Sequence, residues 1–141
     1  WQKYRTSSII IDLGTATTIE LISQEGMFEG AIIAPGIKIG AESLFSKAAK
    51  LYEIELVSPT ALLGLNTTEA MLSGIIYGHS FMLDTFIAKI KEQYSQLKPF
   101  QTILTGGMSS LIKPYLSEIN TIDKGLTLDG FYLALGKILN Q

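Results

Sequence analysis

The stretch Asp12-Leu13-Gly14-Thr15-Ala16-Thr17-Thr18-Ile19-Glu20 constrains this chain most. It follows an apolar run, Ile9 to Ile11, and leads into a second strand-like run, Ile19 to Ile22. A short Gly/Thr turn between two strands is a loop with free backbone N–H groups and several hydroxyls. Gly14 lets backbone approach phosphate oxygens closely. Thr15, Thr17 and Thr18 offer hydroxyl donors, and consecutive N–H groups form an anion nest. Asp12, at the entrance to the loop, is placed to hold a cation that neutralises phosphate charge. The pattern points toward a nucleotide. An ordinary hairpin uses the same residue types, so the turn alone does not decide between the two.

Composition narrows the classes. The 141 residues amount to one ordinary domain. Apolar residues make up 47% and charged residues 17%, which supports a real core and argues against disorder. The net charge of −2 and the lack of a Lys/Arg cluster argue against a nucleic-acid surface. The chain has no cysteine, which excludes disulfides, thiolate metal sites and Cys nucleophiles and suits a cytoplasmic protein. Gly, Ser, His or charge interrupts every long apolar stretch, so no membrane span is expected. The chain begins at Trp1, not Met, and reads as a piece of a longer protein.

Strands are expected at Ser8 to Gly14, Thr17 to Ser23 and Phe28 to Ala34, forming a meander. The recurrence of Ala41, Leu44, Phe45, Ala48 and Leu51 predicts a helix from Gly40 to about Leu51. Asn66 or Thr67 caps the longest helix, which runs through Gly74 and Gly78 to Tyr94. That glycine pair, four residues apart, predicts close approach of a neighbouring backbone. A strand at Phe100 to Leu104, a helix at Ser109 to Leu116 and a strand at Ile119 to Ile122 follow. The last helix is expected from Thr127, its cap, to about Leu139, with Leu128, Phe131, Leu135 and Ile138 as the core stripe. The order βββαα-βαβα predicts an α/β fold, a mixed sheet with helices on its faces.

Other segments carry weaker chemistry. Thr105-Gly106-Gly107 ends a strand and opens a helix, where ligands bind in open α/β sheets; a tight turn is the competing reading. Gly64-Leu65-Asn66-Thr67 is a capped helix start suited to a polar substrate group, or a plain cap. Pro35-Gly36, at the end of the third strand, could place backbone against a ligand, with a turn as the default reading. His79, the only histidine, reads as packed or surface, with no triad or zinc motif near it in sequence.

Taken in order, these pieces resemble the C-terminal half of type III pantothenate kinases, members of the acetate and sugar kinase, heat-shock chaperone and actin superfamily. Ile11-Asp12-Leu13-Gly14-Thr15-Ala16-Thr17-Thr18 resembles the family's second phosphate motif. Ala31 to Ile37 resembles its following strand and turn, and Glu42-Ser43-Leu44 and Gly64 to Gly78 resemble its next two helices. Leu104-Thr105-Gly106-Gly107 resembles the adenosine-side motif, and Leu126 to Phe131 the closing helix.

The resemblance implies a ribonuclease-H-like, actin-like lobe spanning 1–141, one of two in a kinase. It implies phosphorylation of pantothenate by ATP to 4'-phosphopantothenate, the first step of coenzyme A biosynthesis, by a homodimer. It also implies a monovalent cation, potassium or ammonium, and Mg2+ accompanying ATP. Asp12 would bind the cation. Gly14, Thr15, Thr17, Gly106 and Gly107 would bind ATP, and Thr67 would contact pantothenate. The family usually carries Asp where Glu20 stands and a basic residue at Leu65. Its first phosphate motif and the Gly-x-Asp-Arg segment with the proposed general base have no counterpart here, so no catalytic residue is expected in these 141 residues, which alone should be inactive. The alternative is a non-catalytic ATP-binding or dimerisation module used in regulation. For the dimer, the face Ala70, Gly74, Tyr77, Gly78 and Phe81 is expected to meet a second copy or to pack on its own sheet.

Overall fold

Alternation of period two builds the first two strands. Ile9, Ile11 and Leu13 of β1 (Ser7–Leu13) and Thr17, Ile19 and Leu21 of β2 (Ala16–Ile22) are all buried. Their antiparallel register pairs Leu13 with Thr17, Ile11 with Ile19 and Ile9 with Leu21. The buried residues therefore meet as cross-strand neighbours on one face. β3 (Phe28–Pro35) pairs antiparallel with β2 and forms one edge. On the other side β1 runs parallel to β4 (Phe100–Thr105), and β4 parallel to the short β5 (Thr121–Ile122). The sheet order is β3-β2-β1-β4-β5, an antiparallel meander extended by parallel strands, which is the ribonuclease-H-like arrangement. The computed structural model describes residues 1–139; 140 and 141 lie outside the described residues.

The helices are α1 (Ile37–Lys47), α2 (Thr67–Gln93), α3 (Ser109–Ile112) and α4 (Leu126–Leu139). Asn66 is the cap of α2: its side chain accepts from the Glu69 N–H at 3.0 Å, while the Glu69 carboxylate accepts from the Leu65 N–H at 2.9 Å. Two helix-start donors are thus satisfied by side chains. α2 lays Ile76, Leu83 and Ile87, all fully buried, into one core with Ile9, Ile11, Leu13 and Ile19. Ser80, also buried on this helix, donates back to the Ile76 carbonyl at 2.8 Å and so carries no orphaned hydroxyl.

Four expectations need correction. α1 starts three residues before the expected Gly40 and stops at Lys47; no breaker residue marks that stop. The α-helix expected over Ser109 to Leu116 lasts only to Ile112 and tightens into a 3-10 turn over Lys113–Tyr115. Pro114 lies in that turn and has no N–H with which to continue the ladder. No backbone packs on Gly74 or Gly78: a Cβ at either would meet nothing within 4 Å. Finally, the apolar stripe of α4 is not core. Leu128, Phe131, Leu135 and Ile138 are 72%, 69%, 53% and 69% exposed.

This division of labour is measurable by urea titration. Leu83→Ala should lower the unfolding free energy by about 2–5 kcal/mol, as for a filled core position. Leu135→Ala should change it by no more than about 0.5 kcal/mol.

Candidate functional site

The parallel pair β1 and β4 ends with Asp12 beside Thr105 in register. The crevice beyond such strand ends is where open α/β sheets hold ligands. Here it is shaped by two backbone contacts that only glycine permits. Gly106 turns out of β4 at φ +90°, and a Cβ there would lie 2.5 Å from both Asp12 Oδ1 and Leu13 N. The turn is pinned further by Met108, whose N–H donates to the Leu13 carbonyl at 3.3 Å. From the opposite side, Gly36 packs on the β1–β2 turn so closely that a Cβ would overlap the Thr15 carbonyl and sit 2.8 Å from that of Gly14. The turn Gly14–Thr15 itself is exposed, closed by the Gly14 N–H donating to the Ala16 carbonyl at 3.1 Å.

Asp12 looks across a cavity of about 240 Å³ lined by Ile10, Asp12, Glu20, Thr105, Leu126 and Thr127. Its Oδ2 accepts from the Thr127 hydroxyl at 3.2 Å. Thr127, expected to cap α4, is instead the second residue of that helix and serves as a partner of the site. The Thr18 hydroxyl donates to Glu20 Oε1 at 3.3 Å. Two carboxylates and threonine hydroxyls form an oxygen-only donor set, which fits potassium, ammonium or Mg2+ and does not suit a soft metal. Among the described residues no group of three or more His, Cys, Asp or Glu is arranged around a metal position.

The sheet's pleat splits the expected ligand residues. Asp12, Gly14, Thr15 and Gly106 come together, and Gly107 lies exposed beside them with open space at its Cα. Thr17 does not join them through its side chain. It is 1% exposed, and its Oγ1 shares a 2.9 Å hydrogen bond with His79 Nε2 on α2. Antiparallel pairing puts Asp12 opposite Thr18, so adjacent Thr17 must point to the other face. α3 has only four residues, so the Gly106–Gly107 turn offers N–H groups with little helix dipole behind them.

On the helical side lies a cleft of about 860 Å³. Its walls are mainly apolar: Pro35, Gly36 and Ile37 at the start of α1, Ala70, Met71, Gly74, Ile75, Gly78 and Met82 along α2. Polar groups are few, with Asn66, Thr67 and His79 supplying side chains. Size and lining match small-molecule pockets, commonly about 300–1,000 Å³. Gly74 and Gly78 thus face open cleft. Gly64 completes one rim by packing directly on the α2 start, where a Cβ would overlap the Ala70 nitrogen. Burial pushes the His79 imidazole below its ordinary value of 6.5. Sequence reasoning missed Thr127 and His79 as site neighbours, and read Gly36 by default as a turn. The only signal for His79 was a lone imidazole on an apolar helix face, with Thr17 on the inward parity of its strand.

Gly106→Ala should cost about 1–3 kcal/mol from left-handed strain alone, with further loss from the Leu13 contact, whereas Gly107→Ala should leave the melting temperature unchanged. Paired thermal melts check this. The His79 shift sets a pH slope. A histidine held neutral in the fold binds its proton more readily when unfolded, so stability is full above pH 6.5 and falls as pH drops through that value. His79→Gln should remove this slope from a series of urea titrations between about pH 8 and pH 5.

Comparison with known proteins agrees with this geometry. The family model for type III pantothenate kinase matches residues 1–89. A type III pantothenate kinase of Geobacter sulfurreducens is 40% identical over 130 residues, covering 92% of this chain and 50% of that protein. One from Syntrophus aciditrophicus is 39% identical over 133 residues, covering 94% of this chain and 52% of that protein. The chain therefore spans about half the length of the curated relatives it matches. In structure it resembles a conserved Campylobacter jejuni protein assigned to the Baf family of transcriptional activators, with a TM-score of 0.63 at 23% identity. That match covers 96% of this chain and 60% of the other, and it speaks to the fold alone. With the family model over its first 89 residues and two relatives near 40% identity along almost its whole length, this chain belongs to the type III pantothenate kinase family.

Proposed function

We propose that this chain supplies one lobe of a kinase that transfers the γ-phosphoryl group of ATP to the hydroxyl of pantothenate, yielding 4'-phosphopantothenate at the first step of coenzyme A biosynthesis. The observation that carries the reading is the contact of Gly36 with Thr15. It brings the wall of an apolar cleft, large enough to admit pantothenate, against the back of the turn that would hold the phosphates. Phosphoryl transfer depends on such positioning and on charge stabilisation more than on covalent protein chemistry.

In this scheme the Gly14–Thr15 turn and the Gly106–Gly107 turn face the nucleotide from neighbouring strand ends. Thr67, on the cleft wall, contacts pantothenate. The pantothenate hydroxyl oxygen attacks the γ-phosphorus, the bond to the β–γ bridging oxygen breaks, and ADP leaves. The hydroxyl proton goes to a base outside these 141 residues. Asp12 would hold the monovalent cation, which would supply charge compensation beside the phosphates. Mg2+ accompanies ATP.

The bare apolar side of α4 supports a two-lobed protein, since an exposed patch of this kind marks an interaction surface. A homodimer through α2 is supported by Phe81, which is 52% exposed and lies 5.8 Å from the Tyr77 ring. The lack of cysteine suits the cytoplasm. No helix of the described residues is long and apolar enough to cross a membrane. A non-catalytic ATP-binding or dimerisation module used in regulation is the second reading.

The test is ADP release by the complete protein with and without pantothenate. Pantothenate-dependent release, raised by potassium or ammonium and lowered about 100-fold or more by Asp12→Asn, is the expected result. The 141 residues alone should give none. Nucleotide binding by the complete protein without pantothenate-dependent turnover would support the regulatory module instead.

A further inference from the structure

We propose that His79 is a positioning residue for the phosphate-holding turn, bracing its base through Thr17 from inside the apolar cleft. The inference rests on the functional reading above and adds a residue to it.

Thr17 stands two residues beyond the apex of the turn and pairs with Leu13 on its other limb. The Leu13–Thr17 pair is therefore the base from which Gly14, Thr15 and Ala16 project. Both members are buried, at 1% exposure each. A threonine hydroxyl in such surroundings needs a partner, because an unsatisfied buried hydroxyl is costly. His79 Nε2 provides it at 2.9 Å. The imidazole comes from α2, whose Ile76 and Leu83 on either side of it in sequence are fully buried. The brace is thus anchored in the core and not in a loop.

The same ring lines the cleft, together with Gly74, Gly78 and Gly36. His79 is half-buried, so part of its ring stays open to the cleft. Gly36 meets the turn from the same cleft by its contact with Thr15. The turn is therefore held from below at two points, one through Gly36 and one through His79. Both points lie on the wall of the cleft. His79 keeps the turn in its nucleotide-ready shape, and it does so next to the bound acceptor.

Nucleotide affinity tests this, because it does not depend on which acceptor is phosphorylated. In the complete protein, calorimetry with a non-hydrolysable ATP analogue should show His79→Phe and Thr17→Val each weakening binding about tenfold, the scale of one lost buried hydrogen bond. The double variant should be no weaker than either single one. His79→Gln, which keeps a side-chain hydrogen-bonding group, should recover most of the loss. A packing role alone would instead be satisfied by Phe and damaged by Gln. Unchanged affinity in His79→Phe, or additive losses in the double variant, would overturn the proposal. Should either variant fail to fold, nitrogen NMR of the unmodified protein decides. The His79 ring signals should move on adding the analogue, and signals indifferent to it would also overturn the proposal. Absence of nucleotide binding by the unmodified protein removes both this inference and the kinase reading. Nucleotide binding with the expected variant losses, but without pantothenate turnover, removes only the acceptor assignment.

Discussion

Backbone contact at Gly36 and Gly106 fixes the site. Each glycine lies where a Cβ would strike main-chain atoms of the β1–β2 segment, Gly36 against Thr15 and Gly106 against Leu13 and the Asp12 carboxylate. Such approaches leave no room for adjustment by rotamer change. The turn is held between two other turns, one following β3 and one following β4. Its position is therefore inherited from the sheet, whose register pairs Asp12 with Thr105 on one side and Thr18 on the other. The exposed parts of the turn, Gly14 and Thr15, are the parts left free to meet a ligand.

From this arrangement the pleat makes two unlike environments out of neighbouring residues. Asp12, Glu20 and Thr105 share one cavity with Thr127, all oxygen donors. One residue out of phase, Thr17 faces His79, which lines the apolar cleft. The same strands thus carry a polar cavity on one side and an apolar cleft on the other. Phosphoryl transfer from a polyanion to a hydroxyl on an aliphatic chain needs both environments close together.

Much of this was legible in the sequence because it is local. The period-two burial of Ile9, Ile11 and Leu13, the Asn66–Glu69 helix start and the turn glycines are each determined within a few residues. Asp12, Gly14, Thr15 and Gly106 gather where strand ends were expected to place them. What escaped was set by distance or by cover. The Thr17–His79 bond joins residues 62 apart, and the Thr127–Asp12 bond residues 115 apart. Neither has a local pattern. The α4 stripe was read correctly as apolar and wrongly as buried, because periodicity identifies a face without saying whether anything covers it.

The bare helix α4 bears directly on the site. A 14-residue helix is marginal in water without tertiary support. The contacts that hold α4 are concentrated at its first turn: the Leu126 N–H donates to the Asp123 carbonyl, Thr127 donates to Asp12, and Asp129 pairs with Lys3 at 3.3 Å. Asp123 is itself tied down by Lys3 at 2.6 Å and by the Tyr4 hydroxyl at 2.8 Å; the Lys3 hydrogen bond draws its carboxyl below the ordinary carboxylate range. The first turn of α4 and the Asp12 carboxylate are consequently one connected unit. A surface that covers the exposed leucines and Phe131 steadies that turn, and with it the hydroxyl that orients Asp12. Closing a partner surface over α4 and ordering the Asp12 carboxylate are then the same physical event.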